Sequence, residues 1–138
     1  LLDAAELREM HAAGMEIGSH SVSHLRLPSL DEASLWKELV DSKAALADLL
    51  GTSVTSFAYP YGAWDARCAY AAEAAGYAAA CTTRAGWALR DGNPYLLRRL
   101  TVFNADELGC FVRKLGFGDN AVLWRNLALY ALRRLGRR

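Results

Sequence analysis

The sequence predicts an α/β protein built on parallel strands, and three observations carry that expectation. Short β-type runs over residues 15–17, 54–58, 77–83 and 96–102 alternate with helical stretches. The resulting order is helix, strand, helix, strand, helix, strand, strand, helix, which is that of an α/β fold. Gly14, Gly51 and Gly76 stand just past three of the helical stretches, where a glycine commonly ends a helix. About four short strands are too few to close a barrel of the usual size.

Asp3 is placed to cap the first helix, and Glu6, three residues on, completes a capping box ahead of Leu7, Met10 and His11. Gly14 ends that helix and Met15-Glu16-Ile17 forms a short strand that halts at Gly18. Ser29-Leu30-Asp31-Glu32 begins a second helix. Leu35, Leu39, Lys43, Leu46 and Leu50 recur along it at intervals of four and three, and Gly51 closes it. The run over 54–58 is a strand that leads into the loop Tyr59-Pro60-Tyr61-Gly62. Asp65 caps an alanine-rich helix stopped by Gly76, and a strand over 77–83 follows. A loop over 85–93 with two glycines precedes the strand over 96–102, in which Leu100 and Val102 alternate with Arg99 and Thr101. Asp106 opens a helix toward Leu115, and a last helix spans 120–135.

A chain of 138 residues suffices for one domain with one core. Its 53% hydrophobic and 22% charged content is ordinary for a globular protein, and a net charge of +1 gives no general attraction to nucleic acid. Cys68, Cys81 and Cys110 are odd in number, lack Cys-x-x-Cys spacing and sit among apolar residues. They read as thiols behaving as small hydrophobes rather than as disulfides or metal ligands. No apolar run reaches membrane-span length and no signal peptide opens the chain. Leu1-Leu2-Asp3 runs straight into a helix without an initiator Met, so the chain reads as part of a longer polypeptide.

The chemistry concentrates in His20-Ser21-Val22-Ser23-His24. Two imidazoles four positions apart lie one above the other if the segment turns helically, so both can reach one metal ion. They follow a strand, where α/β folds keep their chemistry. A bare His-x-x-x-His is also common on helix surfaces, so the pair alone specifies little.

Two segments together resemble a family. Glu16-Ile17-Gly18-Ser19-His20-Ser21-Val22-Ser23-His24 resembles the zinc-binding motif of the polysaccharide deacetylases, the carbohydrate esterases with a NodB homology domain. Ser56-Phe57-Ala58-Tyr59-Pro60-Tyr61-Gly62 resembles that family's third motif, as found in the poly-N-acetylglucosamine deacetylase branch. The likeness extends over roughly residues 1–105. It implies an incomplete deformed (β/α) barrel of the NodB-homology type, with residues 1–118 as the C-terminal part of a deacetylase domain and 119–138 as a terminal amphipathic basic helix. It also implies a divalent metal, Zn2+ first, and hydrolysis of acetyl groups, N-acetyl first, from a carbohydrate polymer. A periplasmic, cell-surface or extracellular setting would follow. His20 and His24 match the family's two metal-binding histidines, and Tyr61 matches the residue whose backbone N–H helps hold the oxyanion. Pro60 and Gly62 would shape that loop.

Three family features have no match. The Thr-Phe-Asp-Asp motif, which supplies the base and third ligand, precedes the histidine motif in the family and has no counterpart here. Ala58 stands at the usual arginine of the third motif, as in the family's Phe-Ala-Tyr-Pro-Tyr-Gly branch. Leu97-Arg98-Arg99-Leu100 lacks the histidine of the last motif, which acts as general acid. With two ligands, no base and no acid, the chain by itself is expected to be inactive. A non-catalytic carbohydrate-binding or scaffold domain is the alternative reading.

Other residues read more plainly. Tyr59, Tyr61 and Trp64 cluster at the loop and offer flat apolar faces to sugar rings, although such rings also close barrel mouths. Trp87 and Tyr95 are weaker candidates. Asp65 reads as a helix cap, Ser21 and Ser23 as polar caps rather than nucleophiles, and His11 as structural. The stretch over 122–132 is apolar around most of its circumference and ends in Arg133, Arg134, Arg137 and Arg138. It reads as a packing helix whose arginines complement its dipole, or as a membrane-surface or partner-docking helix.

Overall fold

The computed structural model describes residues 2–120 and keeps the expected order of elements except for the first strand. Helix α1 (Ala4–Ala12) begins at Asp3, whose carboxylate accepts from the Ala5 and Glu6 amides while Glu6 accepts from the Asp3 amide at 2.7 Å. This capping box satisfies donors that a helix start leaves orphaned. Helix α2 (Glu32–Leu50) is capped by Asp31 through the Ser34 amide and ends on Gly51 at φ 67°. Strand β1 (Ser56–Ala58), helix α3 (Ala66–Ala74), strand β2 (Ala79–Ala85), strand β3 (Leu97–Arg99) and helix α4 (Leu108–Phe117) follow.

The strands form a parallel sheet in the order β1-β2-β3, with Phe57 opposite Ala80 and Cys81 opposite Leu97. All three are shorter or shifted relative to their hydrophobic runs. The first expected strand, over 15–17, is not formed. Contact with the sheet comes at Ser19, through a single parallel bridge to Phe57. Ser19 N–H donates to the Ser56 carbonyl and Ala58 N–H to the Ser19 carbonyl, both at 2.9 Å. Gly18 permits this approach, because a Cβ there would come within 2.9 Å of Ser56 Oγ. Ser21, at φ 68°, then turns the chain away before a second ladder pair can form.

Leu35 and Leu39 of α2, Cys68 and Ala72 of α3, and Phe57 and Ala80 of the sheet form one buried cluster with Leu27, Val54, Tyr59 and Tyr77. Strand alternation explains the choice, since Phe57 and Ala80 are buried while Ser56, Ala58, Ala79 and Cys81 are half-buried. Lys43 lies on the packed face of α2 because its ammonium has partners there. It donates to the Ala75 carbonyl at 2.9 Å and to that of Gly76, and sits 4.7 Å from the Tyr77 ring centre. The partial negative charge at the end of α3 is thereby answered by a cation from α2.

Helix α4 departs from expectation at its start. Glu107, not Asp106, holds the cap position, because the Asp106 carboxylate accepts instead from the Phe103 amide at 2.8 Å and from the buried Lys114 ammonium. The three cysteines are free, with Cys68 buried and Cys81 and Cys110 half-buried. No helix among the described residues is long and apolar enough to cross a membrane. The terminal helix over 120–135 lies, apart from Asn120, outside the described residues.

Candidate functional site

His20 directly follows the Ser19 bridge, and the loop carrying Tyr61 directly follows β1, so the two motifs leave the sheet side by side. The segment over 20–24 does not turn helically. Ser21 (φ 68°), His24 (φ 55°) and Tyr61 (φ 59°) are the non-glycine residues of positive φ among those described, and all three lie here. Each such residue carries roughly 1–3 kcal/mol of strain that the surrounding structure must overcome, a pattern that clusters at functional loops. This left-handed path, rather than a helical turn, brings the two imidazoles edge to face with ring centres 4.8 Å apart.

Helix α2 holds the path in place. Glu38 is only 8% exposed, and its Oε2 accepts from the Val22 amide at 2.8 Å and the Ser23 amide at 2.9 Å. Ser21 Oγ accepts from the His24 amide at 3.0 Å. Three successive amides are thus satisfied by side chains. Burial pushes the Glu38 carboxyl up, but the hydrogen bonds from Ser23 and Val22 outweigh it and leave the group below its ordinary 4.5. One turn on, Ser42 Oγ meets Ser19 Oγ at 2.8 Å. Sequence reasoning missed Glu38 and Ser42. The available signal was their position four apart on the inward, leucine-lined face of α2, where an unpartnered polar group would be costly.

His20 Nδ1 lies 2.6 Å from the Ala58 carbonyl. A carbonyl only accepts, so the proton is on Nδ1 and Nε2 is left without it in the neutral ring. A metal-ligating imidazole needs this division, with one nitrogen anchored and the other free. Two imidazoles suit zinc and several other first-row cations. Among the described residues, no group of three His, Cys, Asp or Glu side chains converges on one point.

In the neighbouring loop, Gly62 N–H donates to the Tyr59 carbonyl at 2.8 Å and Ala63 N–H to that of Pro60 at 3.0 Å. The Tyr61 amide has no acceptor among the described residues. Tyr61 is 60% exposed, and its ring lies 4.6 Å from the His24 ring with the Arg26 guanidinium 5.8 Å from its centre.

Tyr59 does not fit the sugar-contact expectation. It is fully buried, packs 5.3 Å from the Phe57 ring and donates its hydroxyl to the Tyr95 carbonyl at 3.1 Å. Burial drives its phenol well above the ordinary 10.0. The physical reason is period-two alternation: Tyr59 continues the inward set begun by Phe57. Trp64 is half-buried against the same cluster, which leaves Tyr61 as the open ring of the three. Tyr95 also packs there, and Trp87 Nε1 donates to the Leu115 carbonyl at 2.8 Å. Asp65 caps α3 through the Cys68 amide at 2.8 Å. Arg99 donates to the Thr82 carbonyl at 2.7 Å and, with His20, Ser56, Ala58 and Cys81, lines a recess of about 210 Å³.

Comparison with known proteins bears on what this arrangement is. The family model for polysaccharide deacetylase matches residues 3–80. YxkH of Bacillus subtilis strain 168, assigned to the polysaccharide deacetylases, is 34% identical over 101 residues, which are 73% of this chain and 36% of that protein. Among solved structures, the Streptococcus pyogenes deacetylase PplD in complex with acetate superposes with a TM-score of 0.78 at 24% identity, over 81% of this chain and 50% of that one. A polysaccharide deacetylase from Bacillus cereus superposes with a TM-score of 0.74 at 24% identity, over 83% of this chain and 36% of that one. The fold is therefore the open-sheet portion of a NodB-type α/β domain, and the chain spans half or less of each relative. With the family model covering more than half of its residues, including both motifs, the chain belongs to the polysaccharide deacetylase family.

Proposed function

We propose that this chain supplies two metal-binding imidazoles, His20 and His24, and an oxyanion-binding amide, that of Tyr61, to a zinc-dependent enzyme that removes N-acetyl groups from a carbohydrate polymer. The observation that carries this reading is the meeting of the two motifs. His24 touches both the His20 ring and the Tyr61 ring, so the metal-ligand pair and the loop bearing the unpartnered amide face one space.

When bound, a divalent cation supplies Lewis-acid polarisation of the acetyl carbonyl. The chain's own residues do the rest of the positioning. The Ala58 carbonyl fixes the His20 ring, directing Nε2 outward. The Tyr61 N–H, held by the left-handed backbone and the Gly62 turn, meets the negative charge that develops on the acetyl oxygen. One such donor is worth about 3 kcal/mol of transition-state stabilisation. The exposed Tyr61 ring offers a flat apolar face to a pyranose, and Trp64 closes the loop behind it.

The test is elemental analysis of the purified protein beside a His20→Ala, His24→Ala variant, with acetate release from N-acetylated oligosaccharides assayed on the complete polypeptide. Zinc lost from the variant, together with lost acetate release, is the expected result. Full zinc content in the variant would overturn the ligand assignment.

A further inference from the structure

The turn between the two histidines is built around a carboxylate from another element. Glu38 Oε2 accepts from two successive amides, Val22 and Ser23, at 2.8 and 2.9 Å, immediately after the left-handed Ser21. Successive amides following such a residue form a concavity that holds an anion. Here the anion is supplied by the middle of α2, from a side chain only 8% exposed. The same helix grips the strand side of the motif through the Ser19–Ser42 hydroxyl pair. Ser42 is anchored in turn, donating to the Glu38 carbonyl at 2.8 Å. The residue before His20 and the turn between the two histidines are therefore tied to two adjacent turns of one rigid element.

The strain in the segment explains why such a tie is needed. Ser21 and His24 both occupy left-handed backbone, which nothing local favours beyond the single bond from the His24 amide to Ser21 Oγ. With the Glu38 carboxylate removed, the Val22 and Ser23 amides would gain more from water than from this turn. His24 would then be free to leave the His20 ring.

We propose that Glu38 is the positioning residue of the histidine pair: by seating its carboxylate in the Val22–Ser23 turn it sets the relative placement of the two imidazoles, and so the affinity of the site for a divalent cation, without touching the cation. This rests on the reading of His20 and His24 as ligands. The experiment therefore carries one readout that needs the metal and one that does not.

The variants are Glu38→Leu, which removes the acceptor, and Glu38→Gln, which keeps an acceptor oxygen of the same reach. Co2+ and Zn2+ affinities are measured by titration, the Co2+ absorption bands report ligand geometry, and thermal unfolding of the metal-free protein reports stability. In the metal-free protein, proton NMR reports the contact between the His20 and His24 rings and the exchange protection of the Val22 and Ser23 amides. Glu38→Leu is expected to weaken metal binding by about 10- to 100-fold, as loss of an outer-shell partner does. It should also lose the ring contact and both protected amides, with Glu38→Gln recovering most of each.

Metal affinity within twofold of the parent in Glu38→Leu, with the two amides unprotected, overturns the proposal. So does an unchanged ring contact. If the parent protein binds no metal while the ring contact still depends on Glu38, the ligand reading fails and the positioning role stands. Should Glu38→Leu fail to fold, Glu38→Asp decides: it keeps the charge but pulls the acceptor back by one methylene, so altered Co2+ bands and weakened binding in the folded protein support the positioning role, whereas a lowered unfolding temperature with the Co2+ bands and affinity of the parent overturns it.

Discussion

Gly62→Ala probes the loop that presents the Tyr61 amide, and the packing of Gly62 against Thr83 sets its cost. Gly62 has φ 64°, and a Cβ there would lie 2.0 Å from Thr83 Oγ1 and 2.7 Å from both Thr83 Cβ and Cγ2. Left-handed backbone costs an alanine about 1–2 kcal/mol. The collision adds to this, because no rotation of the Thr83 side chain clears it: Cβ itself is too close, and β-branched χ1 is stiff. Forcing such an overlap costs about 1–3 kcal/mol through backbone shifts. The sum is about 2–5 kcal/mol, read as a fall in stability by urea denaturation followed by circular dichroism. A second variant, Thr83→Gly, and the double variant complete a cycle. Thr83→Gly should remove the steric part and leave the conformational part of about 1–2 kcal/mol. If the Tyr61 amide is the oxyanion donor as proposed, Gly62→Ala in the complete polypeptide should lower kcat for acetate release more than it raises KM, because it would displace that donor rather than a ground-state contact. A cost below about 1 kcal/mol, or no coupling between the two positions, would refute the reasoning.

Two further outcomes follow from individual side chains. Tyr59→Phe removes the hydroxyl that donates to the Tyr95 carbonyl at 3.1 Å and should cost about 0.5–1.5 kcal/mol in urea denaturation. Under the proposed function, the substrate KM of the complete polypeptide should not change, and a raised KM would return Tyr59 to the sugar-contact role. Asp106 is held down to about 2, below its ordinary 3.8, by the Lys114 ammonium first and the Phe103 amide next. A folded-state value below the unfolded one means that this stabilisation is complete above 3.8 and is lost as pH falls through about 2. Asp106→Asn should therefore be less stable than the parent at pH 7, and the two should converge near pH 2 in guanidinium denaturation. A gap that persists into acid would show that the pairing is not its source.

Much of the architecture was legible because it is written in local chemistry. Asp3 with Glu6, and Asp65, cap helices in the structure as their side-chain reach requires, α2 begins within the expected 29–32 entry, and Gly14, Gly51 and Gly76 adopt positive φ just past the helices they close. The parallel order of strands follows from their alternation with helices. Both motifs were visible as motifs, since their residue types and spacing lie along the chain.

The strand over 15–17 was misjudged because β-type residues form a strand only where a neighbour lies within hydrogen-bonding distance, and the sheet first reaches this segment at Ser19. Asp106 was misjudged for a related reason. Its competing partner, Lys114, is buried beside it by the packing of α4.

By itself, then, the sequence determined where the first three helices start and stop, the α/β class and the family. Each of these depends on groups within a few positions of one another or on a motif read in order. Tertiary structure alone decided that His20 and His24 meet through left-handed backbone and that Glu38 anchors the turn. Those outcomes depend on α2 and the sheet approaching the segment across 15 or more positions of chain, and no local pattern encodes which amide a distant carboxylate will reach.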